Sequence, residues 1–279
     1  MVSLLVFVTE LLCASALAGV VGSLVGLGGG VLIVPLLTLG FGMDVRLAVG
    51  ASLVSVIATS TGAAVAYLQD RLVNLRVGVL LELATVAGAL TGALIAPHVG
   101  SATLFLLFGV ALLLSAVPTA AKLVEEVPQD VPEDPLAGRL GLSASYPAAE
   151  GLVPYRVARV PAGLGVMYVA GVLSGLLGIG SGALKVLAMD TAMRLPMKVS
   201  TATSNFMIGV TAAASAGVYF WRGDVPPFVA APVALGVLAG ASLGAQLLRR
   251  STNRTVRAVF LPVLLVVSLE MLLRGLRGV

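Results

Sequence analysis

A succession of apolar runs, each about 20 residues or longer, constrains this chain most strongly. A helix of that length spans the hydrocarbon core of a bilayer. Hydrophobic residues make up 58% of the chain and charged residues only 11%, roughly half the charged share of a soluble domain. Only helices and closed barrels satisfy the backbone in lipid, and runs without polar alternation exclude the barrel. The sequence therefore predicts an all-α polytopic membrane protein.

The apolar segments form two sets separated by a polar stretch. The first set covers 3–40, 47–68, 77–97 and 102–121, and the second covers 161–190, 199–221, 227–248 and 256–273. The stretch between them, 122–159, is rich in charge and proline, which indicates a solvated linker that tethers two halves. We therefore divide the chain into an N-terminal repeat (1–121), a linker (122–159) and a C-terminal repeat (160–279).

The two sets are copies of one unit. The tripeptide Ala-Gly-Val begins at Ala18 and again at Ala170, a shift of 152 positions (170 − 18 = 152). The same shift superimposes further glycines: Gly26, Gly28 and Gly30 fall on Gly178, Gly180 and Gly182, and Gly88 and Gly92 fall on Gly240 and Gly244. A register held this long indicates internal duplication, which is typical of secondary transporters.

A glycine cluster interrupts the first segment of each repeat, so each segment either crosses the membrane once or folds back as a hairpin. Single crossings give eight spans, and the Lys and Arg residues other than Lys185 then divide nine against seven between the two faces. Hairpins give six spans and a division of twelve against four. The positive-inside rule favours the second arrangement. We therefore predict two inverted repeats, each a broken, re-entrant helical hairpin plus three transmembrane helices, with a cytoplasmic linker and both termini outside.

Lys185 follows the second glycine cluster inside a long apolar run. A charge at membrane depth is by default a functional-site hypothesis, and free N–H groups at a helix start bind anions. We interpret the two glycine tips and Lys185 as an anion site near the bilayer midplane. The alternatives are an ion pair, for example with Asp190, or a lysine that snorkels to the surface. The first repeat has Ile33 at the matching position, so the site is asymmetric.

Short polar clusters open the next helix of each repeat, and their hydroxyl and amide groups are candidate donors to an oxyanion. Ordinary helix capping or helix–helix hydrogen bonding is the alternative role. The predicted substrate-binding residues are Gly28, Gly29, Gly30, Ser52, Gly180, Ser181, Gly182, Lys185, Thr203, Ser204 and Asn205.

The apolar helices contain an acidic residue and two pairs of small residues. Glu82 is a candidate proton carrier or a partner for a basic residue, although an interfacial location fits equally well. The small-xxx-small pairs predict close helix packing rather than a ligand site. These pairs are Gly88 with Gly92 and Gly240 with Gly244.

Several classes of function lack support in the sequence. A single cysteine, Cys13, and a single histidine, His98, build neither an internal disulfide nor a metal site. We find no nucleophile–base constellation and no dinucleotide or phosphate-loop motif, so neither an enzyme nor a cofactor is predicted. The net charge of +4 reflects membrane topology rather than nucleic-acid binding. The first 20 residues lack the charged leading region of a signal peptide, and we treat them as mature protein.

Two motifs of the first repeat resemble those of the TauE/SafE sulfite exporter family. They are Gly-Leu-Gly-Gly-Gly at 26–30, followed by Pro35, and Gly-Ala-Ser at 50–52, and both have echoes in the second repeat. The resemblance implies outward transport of a small sulfur oxyanion or organosulfonate, such as sulfite or sulfoacetate. A carboxylate or inorganic-anion transporter and a membrane scaffold or sensor remain alternatives. We expect a multi-pass protein of a bacterial or archaeal plasma membrane and leave a homo-oligomer open.

Overall fold

The computed structural model describes residues 2–25, 30–69, 72–121, 131–148, 151–180, 182–250 and 253–278. The structure is 81% helical, with eleven α-helices and no closed sheet among these residues. The predicted all-α fold class agrees with this architecture.

The elements follow the two predicted sets. The first half contains α1 (Val2–Val25), α2 (Gly30–Pro35), a π-helix (Leu36–Gly40), α3 (Val45–Gln69), α4 (Leu75–Ile95), a 3-10 turn (Ala96–His98) and α5 (Ser101–Ala121). The linker contains α6 (Pro135–Leu140), β1 (Ala144–Ala148) and β2 (Gly151–Tyr155). The second half contains α7 (Val160–Leu177), α8 (Gly182–Leu187), a π-helix (Ala188–Ala192), α9 (Met197–Trp221), α10 (Pro227–Arg250) and α11 (Asn253–Arg277).

The shift found in the sequence also relates the element boundaries. Helices α2 and α8 begin at Gly30 and Gly182 (182 − 30 = 152). Helices α3 and α9 begin at Val45 and Met197, which are separated by the same number of positions. The π-helices, the pair α4 and α10, and the pair α5 and α11 begin at the same separation. Helices α1 and α7 end at this separation (177 − 25 = 152), although their starts differ by 158 positions.

The packing of the helices repeats when the two halves are exchanged. Helix α1 packs on α10 and α7 packs on α4, while α3 packs on both α9 and α10 and α9 packs on both α3 and α4. Helices α5 and α11 pack on each other. The two halves therefore share one interface. Each pair of packed helices in it either has an equivalent pair or consists of two helices that are equivalent to each other.

Helix α4 shows that the outer surface of this bundle is apolar. Its exposed face carries large aliphatic side chains, including Val79, Leu83 and Leu94, which are 58%, 69% and 57% exposed. Its buried face instead contains Glu82 and Thr85. This is the reverse of a helix on a water-soluble protein and suits a helix that faces lipid. Among the described residues, Leu75–His98 and Val160–Leu177 are helices long and apolar enough to cross a membrane.

Glycines allow α4 and α7 to approach closely. A side chain on Gly88 or Gly92 would overlap backbone carbonyls of α7, and one on Gly171 or Gly175 would overlap carbonyls of α4. Gly240 on α10 meets α1 in the same way. The predicted packing role of Gly88, Gly92 and Gly240 is therefore confirmed. The surroundings of Gly244 lie outside the part of the chain that the structure describes.

The described part of the linker is folded, although the sequence favoured a solvated tether. Asp134 accepts hydrogen bonds from Leu136 N (2.8 Å) at the start of α6 and from Val160 N (3.0 Å) at the start of α7. Strands β1 and β2 form an antiparallel hairpin. Asn74 Nδ2 at the start of α4 donates to Leu142 O and to the Tyr155 hydroxyl, both at 2.8 Å. Burial of that phenol raises the pKa of Tyr155. The linker is therefore fixed to the start of α4.

The bundle has two distinct ends. At the linker end, the folded linker lies beside the starts of α4, α7 and α9, and Asn74 N donates to Thr203 Oγ1 (3.1 Å). At the opposite end, which we call the Arg222 end, Arg46 Nη2 donates to Pro97 O (3.1 Å) and Arg222 Nη1 donates to Ala93 O (2.6 Å). The start of α3 and the ends of α4 and α9 therefore lie together there.

Candidate functional site

The second glycine cluster breaks the helix between α7 and α8. Gly178 and Gly180 have φ angles of +67° and +69°, which L-residues with a side chain rarely adopt. Gly178 N donates to Ser174 O (2.8 Å) and so ends α7. The chain then enters α8 at Gly182. The predicted interruption of this apolar segment is therefore present in the structure.

The tips of the two broken segments meet. Ser52 Oγ of α3 lies 3.2 Å from Gly30 O of the first segment and 3.0 Å from Gly178 O of the second. Ser204 Oγ on α9 lies 3.0 Å from Gly182 O, which is the equivalent of the contact between Ser52 and Gly30. Both serine hydroxyls donate to backbone carbonyls. They hold the tips in place, which is the helix–helix bonding that the sequence left as an alternative role.

Lys185, Thr211 and Glu82 form a buried polar cluster, the Lys185 triad, from helices α8, α9 and α4. Lys185 Nζ donates to Thr211 Oγ1 at 2.5 Å and lies 3.7 Å from Glu82 Oε2. Thr211 Oγ1 lies 2.5 Å from Glu82 Oε1, to which it donates. Lys185 and Thr211 are 0% exposed and Glu82 is 8% exposed. The two opposite charges are thus removed from solvent together and bridged by one hydroxyl.

The triad decides between the alternatives for its two charged residues. Lys185 does not snorkel, since none of it is exposed, and the carboxylate beside it is that of Glu82. Glu82 is the partner of a basic residue, which is one of the roles that the sequence allowed, and its Oε2 also accepts from Thr85 Oγ1 (3.3 Å). A buried ion pair is tolerated only when further hydrogen bonds satisfy its remaining groups, and the two threonines supply such bonds.

The triad occurs once, in spite of the duplication. At the shift of 152, Lys185 corresponds to Ile33 and Glu82 corresponds to Ala234. Ile33 is fully buried, so an apolar side chain takes the position of the lysine in the first half. The predicted asymmetry of the site is therefore present in the fold.

Two further predicted residues, Thr203 and Asn205, form hydrogen bonds with other partners. Thr203 faces α4 at the linker end, where its Oγ1 accepts from Asn74 N. Asn205 Nδ2 donates to Thr201 O of its own helix (3.0 Å). Both residues are buried. The predicted residues Gly28, Gly29 and Ser181 lie outside the described residues.

Thr211 was not among the predicted residues, although the sequence contains a signal for it. Ser204, Ile208 and Thr211 are spaced four and three positions apart, which places them on one face of α9. Ser204 contacts the first residue of α8, and Ile208 lies against Gly180. A polar residue one turn further on that face therefore points at the second turn of α8, where Lys185 lies.

The structure combines an apolar exterior, two interlocked halves, broken helices whose tips meet, and charges buried inside the bundle. These features are typical of secondary transporters. The chain belongs to the sulfite exporter TauE/SafE family, whose model matches residues 11–271. The predicted family is thereby confirmed, and with it an integral membrane protein. The family is one of transporters, in accord with the prediction that the protein is not an enzyme.

Two relatives from Bacillus subtilis (strain 168) have names of the same kind. The "Probable membrane transporter protein YunE" is 28% identical over 268 residues, which cover 93% of this chain and 95% of that protein. The "Probable membrane transporter protein YdhB" is 26% identical over 231 residues, which cover 82% of this chain and 86% of that protein. No solved structure matches the chain.

Proposed function

We propose that this protein exports a small sulfur-containing anion, such as sulfite, sulfoacetate or another organosulfonate, across a bacterial or archaeal plasma membrane. The family description names sulfite export. The observation that carries the proposal is a fully buried lysine, Lys185, in the half-helix that follows a broken tip. A lysine inside a membrane bundle marks a substrate or ion pathway, and its positive charge suits an anion.

The location of Lys185 on α8 supports binding of an anion at this tip. An anion at the start of a helix is stabilised by the helix dipole and by free N–H groups. Lys185 lies in the last turn of α8, so an anion between the tip and Lys185 would be attracted by both the helix start and the lysine. The tips also meet at Ser52, so a bound anion would contact both halves. Rocking of one half against the other would then alternate access to the site.

The contacts at the ends of the bundle support an inverted arrangement of the two halves. The rings of Phe7 and Phe41, at the two ends of the first broken segment, pack edge to face at 5.8 Å. Ala158 N donates to Met193 O (3.1 Å), which joins the two ends of the second. Phe41 precedes α3 at the Arg222 end, while Ala158 belongs to the linker. These contacts support two segments that each fold back on themselves and open at opposite ends of the bundle.

We expect single cysteines at the two ends of the bundle to react from opposite sides of the membrane. Gly100→Cys lies just before α5 and Gly138→Cys in the linker. A Cβ at Gly100 would have no atom within 4 Å, and one at Gly138 would make only an ordinary contact with the Glu133 side chain at 4.0 Å. In a Cys13→Ala background, an impermeant thiol reagent applied to intact cells should label position 100 and leave position 138 unlabelled until the cells are lysed. Labelling of both from outside would contradict a cytoplasmic linker.

The membrane potential favours the proposed direction of transport. A potential that is negative inside favours exit of an anion by about 2.3 kcal/mol per charge per 100 mV. Export can therefore proceed without a second driving ion, while uptake of the same anion would have to overcome this term.

Thermal unfolding of the purified protein with a panel of anions tests the proposal. Sulfite, sulfoacetate and thiosulfate should raise the unfolding temperature, since a ligand at about 100 times its Kd stabilises the native state by about 2.7 kcal/mol. Sulfate and acetate serve as comparison anions. The rise should disappear in the double variant Lys185→Met/Glu82→Gln, which removes both buried charges. Selective stabilisation by acetate would instead favour a carboxylate transporter of the same architecture.

A further inference from the structure

We propose that the anion and one proton bind together at the Lys185 triad, the proton on Glu82, so that each transported anion carries a proton with it. This inference rests on the proposed function, because it needs an anion at Lys185. It adds a co-substrate that the transport of an anion does not by itself require.

The geometry leaves Lys185 in an indirect ion pair. Its Nζ makes a hydrogen bond with Thr211 Oγ1 but lies 3.7 Å from Glu82 Oε2, which is beyond hydrogen-bond distance. Thr211, Thr85 and Lys185 thus surround the carboxylate without any direct lysine–carboxylate bond. A small anion that binds Lys185 would therefore compete with the electrostatic attraction of Glu82. It would not have to break a direct hydrogen bond between Lys185 and Glu82.

The charge of the site then requires a compensating cation. Lys185 and Glu82 cancel each other when the site is empty, and both are shielded from solvent. An added anion leaves a net negative charge in a region of low dielectric, where an uncompensated charge is costly. A proton on Glu82 cancels one negative charge while Lys185 keeps the positive charge that holds the anion.

The neighbouring helices offer no second charged group to Glu82 among the described residues. Lys185 of α8 is the charged side chain that acts on it. The side chains that bond to it from α9 and α4 are those of Thr211 and Thr85, which do not titrate. On α7, which packs against α4, the titratable group is Tyr168, and it lies at the exposed surface and bonds to Thr91. Glu82 is thus the group that can take up the proton.

Thr211 provides a way to exchange the hydrogen bonds. Its Oγ1 donates to Glu82 in the empty site and also lies 3.1 Å from Met207 O. When Glu82 is protonated, its new O–H can donate to Thr211 Oγ1, and the threonine hydroxyl can donate to Met207 O instead. The hydroxyl hydrogens of Glu82 and Thr211 then both have acceptors, and the lysine is released from the opposite charge.

A proton carried with the anion changes the net charge that crosses the membrane. A divalent anion that carries one proton moves one net negative charge, so a potential that is negative inside still favours its exit. A monovalent anion that carries one proton moves no net charge, and its flux becomes insensitive to the potential.

The test is the Kd of thiosulfate as a function of pH, measured by titration calorimetry of the purified protein. Thiosulfate stays fully ionised near neutral pH, so any proton taken up belongs to the protein. Where Glu82 is ionised in the empty protein, the Kd should rise about tenfold per pH unit, because binding takes up one proton. A pH indicator in weak buffer should report one proton absorbed per thiosulfate bound.

Two variants assign the proton. Glu82→Gln should make the Kd independent of pH and abolish proton uptake, whereas Glu10→Gln, an exposed carboxylate of α1, should retain the wild-type slope. Binding by the wild type with no pH dependence and no proton uptake would overturn the inference and leave the proposed function intact. A slope that persists in Glu82→Gln would also overturn it. If neither thiosulfate nor the other anions of the panel bind, both proposals fail.

Discussion

The variant Lys185→Met is expected to lose about 3–5 kcal/mol of folding free energy. Methionine fills the space of the lysine stem, but it leaves Glu82 buried beside Thr211 without an opposite charge. Removal of one partner of a buried ion pair costs far more than the net value of the pair, because the remaining charge stays desolvated. Thermal unfolding in detergent, read by circular dichroism, measures the loss.

Two further variants separate this effect from a general loss of charge. The double variant Lys185→Met/Glu82→Gln should recover most of the stability, since it buries no charge. Lys198→Met removes an exposed lysine at the start of α9 and should change stability little. If Lys185→Met were as stable as the wild type, Lys185 would not stabilise an ionised Glu82. The two residues would then not act as an ion pair.

Gly175→Leu should separate α4 from α7 and lower stability by about 3 kcal/mol or more, the upper part of the range for overpacked cores. A Cβ at this position would overlap the carbonyl of Ala89, and a backbone group cannot rotate away as a side chain can. Gly175 also lies near the tip that ends α7, and its carbonyl oxygen accepts a hydrogen bond from the Tyr219 hydroxyl of α9 (2.9 Å). Yield and unfolding temperature are the measurements.

Gly165→Leu is the matched control on the same helix. No atom lies within 4 Å of a Cβ at Gly165, so the leucine would face lipid. Both substitutions raise helix propensity equally, which leaves the contact with α4 as the difference between them. Equal stability of the two variants would mean that α4 and α7 do not pack through these glycines.

The register of the fold could be predicted because duplication preserved the positions where a side chain cannot fit. Gly178 is fixed by its own left-handed backbone conformation, whereas Gly88 and Gly240 are fixed by equivalent close crossings between the two halves. Because the two halves pack on each other in an equivalent way, such glycines recur at a constant shift. The starts of α2 to α5 and of their counterparts follow the same shift.

The partner of Lys185 could not be predicted in this way. Glu82 and Thr211 are 129 positions apart, on helices that meet only in the folded bundle. At the shift of 152, Ala234 takes the place of Glu82 and Ile33 that of Lys185. The sequence raised Glu82 as a possible partner but contained nothing to choose between that role and an interfacial one. Tertiary packing decides such pairings, and helix periodicity alone does not encode it.

The role of the serines shows a second limit. Ser52 and Ser204 were predicted as donors to the substrate, yet each donates to a carbonyl at a broken tip. The same hydroxyl suits either acceptor, so residue type and spacing do not distinguish them. The folded linker was missed for a related reason, since its fold depends on a long-range contact of Asn74 with Tyr155.

Efflux of radiolabelled sulfoacetate from proteoliposomes, driven by its own concentration gradient, tests the central claim most directly. We predict saturable efflux by the wild-type protein and by the control Gly165→Leu, and its loss in the folded double variant Lys185→Met/Glu82→Gln. Efflux from the double variant at the wild-type rate, with sulfite and thiosulfate behaving in the same way, would contradict an anion pathway that depends on Lys185.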